Sequence, residues 1–269
     1  VLLAAVFGAI PLFLGLKMSL FDHVLRDGGT FVGLSNYLDV IVHPRTARVV
    51  LNTAYYLSLS FVMGFIAPLV LAVVLSSLRV GAWLVRSAFF LPAVASAVVV
   101  AILWQQMFEF GGPFNSLVNL LGFAERRWLA EPSTAMFAVV LATAWATLGV
   151  SGLTYLAGLS AIPEALYEEA ELSGAGLLER LQHVTWPHLQ PLILINLVGW
   201  LITSVRTAEQ VFLLTSGGPG EATYIVGLDI FNQAYVSIRF GYAMAEVWLL
   251  VALILILSIY QMRAVRSGQ

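Results

Sequence analysis

The sequence contains no cysteine, which excludes disulfide frameworks, thiolate catalysis and cysteine-based metal sites together. Charge is nearly as scarce. Only 10% of the residues are Asp, Glu, Lys or Arg, against roughly 25% in a soluble domain. The formal net charge is −2, so there is no basic surface of the kind that holds nucleic acid. No G-x-x-x-x-G-K-[ST] run occurs, so the chain has no phosphate-cradling loop for ATP. The histidines, His23, His43, His183 and His188, are scattered and no metal site is expected. No Ser/His/Asp arrangement, internal repeat, low-complexity tract or heptad run is present.

What the chain has in excess is apolar length. Of its 269 residues, 60% are hydrophobic, and the mean hydropathy is +0.91. That is too much for one soluble core and reads as several membrane spans. Stretches of about 20 mainly apolar residues, the length a spanning helix needs, lie at Val1–Leu20, Asn52–Leu78, Ser87–Phe108, Ala135–Leu159, Leu192–Leu214 and Tyr242–Met262. Each must be helical, because lipid offers no partner to an unpaired peptide group. The expected fold is therefore all-α: a polytopic membrane protein of six transmembrane helices, with residues 1–269 forming one domain. Pro68 and Pro92 are expected to kink their spans. The chain opens at Val1 inside an apolar stretch. An N-terminal tail beyond it is expected, and the charged n-region and small-residue cleavage site of a signal peptide are missing.

The connections differ in character. Residues 21–48 hold Asp22, Arg26, Asp27 and Gly28-Gly29 and read as an ordered, partly helical loop. Arg79–Arg86 is short, which makes the second and third spans antiparallel neighbours. Between 109 and 133, an apolar run Leu117–Phe123 precedes Arg126-Arg127-Trp128. This fits an interfacial helix with a Trp anchor. Gly217-Gly218-Pro219-Gly220 is a turn. Six spans put both termini on one side. With the termini inside, the inner cations are Arg79, Arg86, Arg180, Arg263 and Arg266. The outer ones are Lys17, Arg26, Arg45, Arg48, Arg126, Arg127 and Arg239. That distribution mildly opposes termini inside.

The segment from Ala161 to Pro191 is the most charged connection. Pro163 suits a helix start. Tyr167–Leu172 is a Glu-rich helix former, Ser173-Gly174-Ala175-Gly176 breaks it, Leu177–Val184 resumes it, and Trp186-Pro187 leads back to the membrane. The pattern is a helix–turn–helix elbow at a membrane surface, and its glycine turn lets another backbone approach. An acidic, partly apolar, turn-containing surface suits docking of a protein partner. The plain alternative is a solvated link, but the length and helical order exceed what a link needs.

This segment resembles the EAA loop of ABC importer permeases. Glu168, Glu169 and Ala170 stand at the E-A-A, Gly174 at the family's glycine, and Trp186-Pro187 at its hydrophobic-Pro step. Glu169 replaces the usual Ala and Ser173 the usual Asp. Further stretches agree in order and spacing across the chain: Phe31-Val32-Gly33-Leu34-Ser35-Asn36-Tyr37, Asn52-Thr53, Phe89-Phe90-Leu91-Pro92, Leu214-Thr215-Ser216-Gly217-Gly218-Pro219-Gly220 and Phe240-Gly241-Tyr242-Ala243. They resemble carbohydrate-importer permeases of the maltose and glycerol-phosphate type. The resemblance implies a cytoplasmic loop over about 161–190, coupled through Glu168, Glu169, Ala170, Ser173, Gly174 and Ala175 to a dimer of ATP-binding subunits. Those subunits would carry ATP and Mg, leaving this chain without cofactor and without enzyme activity. It also implies a second homologous permease, an extracellular solute-binding protein, and the inner or plasma membrane of a bacterial or archaeal cell. The implied orientation outweighs the charge distribution.

Polar residues inside the membrane are costly and are suspects for function. Arg206 and Glu209, three apart in the fifth stretch, would share a helix face, either as a buried ion pair or as a polar wall with Ser204, Thr207 and Gln210. The resemblance draws substrate contacts from this stretch and from the fourth, which offers Trp145, Thr147 and Ser151. Trp145 suits either an interfacial anchor or a platform for a sugar's C–H face. Trp104 and Gln105 are lesser candidates, and Glu246 faces either the partner permease or the pore. The rival is an ion-coupled secondary transporter, which would show inverted repeats and mid-span acids. No repeat is seen, and only Glu209 and Glu246 qualify. A membrane-embedded enzyme would need clustered catalytic side chains, which are not found.

Overall fold

The computed structural model describes residues 5–22, 29–76, 87 and 91–267, with the side chains of 5, 205, 206, 257 and 260–267 excepted. The expected short link Arg79–Arg86, Phe89-Phe90 and the loop residues His23, Arg26, Asp27 and Gly28 lie outside the described residues.

The architecture is all-α apart from a short antiparallel ribbon, β1 (Phe21–Asp22) paired with β2 (Thr30–Phe31). Among the described residues, each of the expected apolar stretches carries helix. Among the described residues, Thr46–Ser76 and Pro132–Ser160 are each long and apolar enough to cross a membrane. The pair Leu177–Ser204 and Glu209–Thr215, bent by 48°, makes a third candidate. Shorter apolar helices cover Val6–Ser19, Ala97–Phe108 and Phe240–Ile256. Prolines start two of these elements: Pro113 and Pro132 sit in first turns, where a missing N–H leaves no bond unmade.

Two expected spans are interrupted. The helix Thr46–Ser76 changes to π spacing over Phe61–Ile66, just ahead of Pro68, which has no N–H to give to the turn before it. The third stretch is broken: a turn ends at Ala95, and the helix restarts at Ala97 with Ser96 as its cap, its Oγ accepting from the Val99 N–H at 3.3 Å.

The chain forms two compact units, 1–54 with 205–208 and 224–269, and 55–204 with 209–223. In the first, α1 (Ile10–Ser19), α2 (Ser35–Val42) and the long C-terminal helix Phe240–Ser267 pack together around Val40, Tyr242 and Ala245. Here the sequence motifs find their physical reasons. Asn36 is buried and donates to the carbonyls of Ser19 (2.9 Å) and Phe21 (3.0 Å), while the Tyr37 and Ser19 hydroxyls lie 2.7 Å apart. Gly241 passes so close to the Phe21 carbonyl that a Cβ would collide with it. Asn52 donates to the Tyr224 carbonyl, and Thr53 Oγ1 accepts from the Val226 N–H, both at 3.0 Å. The Tyr224 hydroxyl donates to Asp229 (3.1 Å) and accepts from Asn232 (3.0 Å); burial raises its pKa above the ordinary tyrosine value. Glu246 is buried within the chain, near Asp229.

In the second unit the core is built on Phe65, Ala72, Leu75, Tyr155, Leu156 and Leu159, with Val184, Leu189 and Ile193 from the return helix. Gly158 lets that helix come close: a Cβ there would press into Leu192 and Leu189. The Gly217–Gly220 turn is tied by Thr223, wholly buried, whose hydroxyl donates to the Gly218 carbonyl at 2.8 Å and lies 2.7 Å from that of Thr215.

Candidate functional site

The elbow follows Pro132–Ser160 directly. Helix Glu164–Leu172 ends at Ser173, and Gly174 takes φ +77°, a conformation that costs other residues roughly 1–2 kcal/mol. The Gly174 N–H donates to the Glu171 carbonyl at 3.0 Å and the Ala175 N–H to the Ala170 carbonyl at 2.9 Å. This bond pair is a Schellman cap, in which glycine at the left-handed position lets two otherwise orphaned carbonyls be satisfied. The next helix, Leu177–Arg180, opens with the Gly176 N–H held by Glu179 Oε2 at 2.7 Å. Arg180 lies 3.8 Å from Glu171, bridging the two arms.

One face of the elbow is anchored and the other is open. Leu166, Tyr167 and Ala170 pack against the core, and the Tyr167 hydroxyl lies 3.0 Å from Thr185 Oγ1. Glu168, Glu169, Ser173 and Gly174 are exposed. So are three leucines, Leu172 (91%), Leu177 (75%) and Leu178 (69%). A Cβ on Gly174 would meet nothing. These three leucines are left bare on a capped turn, among acids.

The polar-path candidates are dispersed. The fifth-stretch helix ends at Arg206 and a new one starts at Glu209, so the two do not share a continuous helical face as their spacing predicts. The Arg206 side chain lies outside the described residues. Arg206 and Thr207 fall in the first unit, and Ser204, Glu209 and Gln210 in the second. Glu209 is exposed. Ser204 is buried 3.3 Å from the Ser60 hydroxyl, which also accepts from Trp200 Nε1 at 3.1 Å. Gln210 is buried and donates to the Ala97 carbonyl at 3.3 Å, and Gln105 donates to the Leu213 carbonyl at 3.0 Å. These two amides fasten Ala97–Phe108 to Glu209–Thr215. Trp145 is half-buried, edge-on to buried Trp104 with ring centroids 5.8 Å apart. Thr147 is exposed and donates to its own helix at Thr143 (3.1 Å), and Ser151 is half-buried.

Trp128 is not a simple interfacial anchor. Its Nε1 donates to Asn115 at 2.8 Å, and its ring packs with Phe114 and Phe137. The helix here runs Pro113–Leu120. Next to it lies a cleft of about 400 Å³ bounded by Gln105, Gln106, Glu109, Phe110 and Arg127.

Comparison with known proteins decides the family. No family model matches the chain. The probable ABC transporter permease protein YurN of Bacillus subtilis (strain 168) is 31% identical over 266 residues, 97% of this chain and 91% of its own length. The trehalose/maltose transport system permease protein MalF of Thermococcus litoralis is 34% identical over 203 residues, 75% of this chain and 69% of its own. The chain belongs to the ABC transporter permease family. The fold agrees. A bacterial ABC transporter involved in the import of alginate superimposes with TM-score 0.85 at 22% identity, over 99% of the permease and 92% of the solved chain. A structure of that transporter with its alginate pentasaccharide-bound periplasmic protein gives 0.83.

The permease is thus an integral membrane protein, and members of its family are transporter subunits and not enzymes. Of the residues singled out in its sequence, the structure brings together the elbow set 168–175 and the pair Trp104 and Trp145, while Gln105 and Gln210 each reach a separate carbonyl across the same helix pair. Reading the sequence missed Asn115, Ser60, Trp200 and the cleft residues Gln106, Glu109 and Arg127.

Proposed function

We propose that this permease forms half of the translocation path of an ATP-driven, binding-protein-dependent importer of a sugar or related solute, polyols and glycerol-phosphate compounds included. The whole of 1–269 acts as one domain crossing the inner or plasma membrane six times, beside a second homologous permease. A dimer of separate ATP-binding subunits carries ATP and Mg, and an extracellular binding protein delivers the solute.

The observation that carries this proposal is the half-anchored elbow. Its rear face is fixed to the core through Leu166, Tyr167 and Ala170, and its front presents Leu172, Leu177 and Leu178 among acids. A lever needs that combination, because a partner pulling on the front must move the helices behind. Driving a two-state equilibrium from one side to the other takes differential binding of about 5 kcal/mol, within reach of one ATP-gated interface. The elbow then lies in the cytoplasm. The sugar class is supported by the trehalose/maltose permease among the relatives, and the binding protein by the alginate complex.

Purification of the tagged permease from native membranes tests the proposal. It should bring down an ATPase and a second permease, and the purified complex should hydrolyse ATP faster with a solute-loaded binding protein. A permease that purifies alone, and whose transport survives removal of ATP in the presence of an ion gradient, refutes it.

A further inference from the structure

An open cleft at the far end of Pro132–Ser160 carries the chemistry of a saccharide site. That helix has 29 residues, about 43 Å at 1.5 Å per residue. The elbow starts just past its C-terminal end, and the cleft borders its N-terminal end. With the elbow in the cytoplasm, as proposed above, the cleft opens on the external side. A volume of about 400 Å³ falls within the usual range of small-molecule sites.

The lining is selective. Gln106 offers an amide, Glu109 a carboxylate and Arg127 a guanidinium, and the exposed Phe110 adds aromatic surface. Donors and acceptors are both supplied, and the two charges are of opposite sign. A ring of hydroxyls with C–H faces uses all of these groups. An anion would meet Glu109, a cation would meet Arg127, and an apolar solute would leave the polar groups unpaired.

The walls are held in place from behind, with Asn115 at the centre. Asn115 is wholly buried. Its Nδ2 donates to the carbonyls of Glu109 (2.9 Å) and Arg126 (3.0 Å), and its Oδ1 accepts from the Arg126 N–H (3.0 Å) and Trp128 Nε1 (2.8 Å). It therefore fastens the 105–110 wall to the 126–130 wall. A second clasp comes from Glu125, which accepts from the Gly111 N–H (3.1 Å) and the Asn119 amide (2.8 Å). Gly112 fits where a Cβ would run into the carbonyls of Gln106, Met107 and Glu109. Ordering both walls before a ligand arrives lowers the entropy lost on binding.

We infer that this cleft is an external entry site for one unit of a neutral saccharide, gripped by Gln106, Glu109 and Arg127 against Phe110. The test is photolabelling of the assembled transporter in nanodiscs, without binding protein, by diazirine derivatives of maltotriose, trehalose and arabinotriose. At least one should label peptides covering 105–110 and 127–130, in competition with the unmodified sugar. Gln106→Ala and Phe110→Ala should each reduce that label about tenfold, the loss expected for 1.4 kcal/mol of binding. Label confined to other segments, label that survives both substitutions, or no label from any of the three sugars overturns the inference. Whether the ATPase is present in the same preparation scores the importer reading separately, so the two can fail independently.

Discussion

The Ala175 N–H donates to the Ala170 carbonyl at 2.9 Å, closing the elbow around a left-handed Gly174. The third residue of the E-A-A and the residue after the glycine are thereby one structural unit. The glycine has a conformational task, and the proposed coupling would give the open space around it a second, close approach by a partner.

Two substitutions separate those tasks. Gly174→Ala meets only the backbone strain, about 1–2 kcal/mol, and should lower thermal stability slightly while ATPase attachment persists. Gly174→Leu adds bulk on the open face. It should fold, yet lose ATPase co-purification and transport. Equal loss of attachment in both would mean that conformation alone matters.

Asn115 predicts a stability effect at a distance from the elbow. Asn115→Ala orphans the Arg126 N–H and Trp128 Nε1, and buried groups left unpaired cost about 1–3 kcal/mol each. The detergent-solubilised protein should melt at a lower temperature, with tryptophan emission shifted to the red. An unchanged melting curve would show that the clasp does not matter.

Gly241→Ala should be severe for so small a change, of order 3 kcal/mol, because its Cβ has no room beside the Phe21 carbonyl. Gly8→Ala, with nothing within reach of its Cβ, is the control. Membrane-integrated yield read by fluorescence-detected gel filtration compares the two.

Trp145→Ala and Arg206→Ala test the transport path. Loss of the edge-on Trp104 contact is worth only about 0.5–1.5 kcal/mol, so the complex should still assemble. Uptake should fall about tenfold if the indole holds a solute worth 1.4 kcal/mol. Normal uptake by both would place the path elsewhere.

The helical stretches, the elbow with its break at 173–176, and the 217–220 turn were legible because each rests on local chemistry: apolar runs, glycine and proline. The i, i+3 argument for Arg206 and Glu209 failed at the level of local structure, since it presumes an unbroken helix and the helix stops at Arg206. The break at Ser96 falls four residues after Pro92, where a kink was expected, and Ser96 supplies the cap of the helix that follows. Pairings such as Trp200 with Ser60, or Asn36 with the Phe21 carbonyl, join residues far apart in sequence. The motifs around Asn36 and Gly241 could be seen, but not that they touch. The cleft was invisible for the same reason: its walls come from both ends of a loop that Asn115, Glu125 and the Phe108–Trp128 ring contact draw together.

The central claim is that the elbow is a cytoplasmic handle, and the absence of cysteine makes a direct measurement simple. A single Leu178→Cys substitution places the chain's only thiol on the open face. A membrane-impermeant maleimide should label it in inside-out vesicles stripped of ATPase, fail to label it in right-side-out vesicles, and lose access when the ATPase is restored. Labelling from the outer face, or labelling that bound ATPase leaves unchanged, would contradict the account.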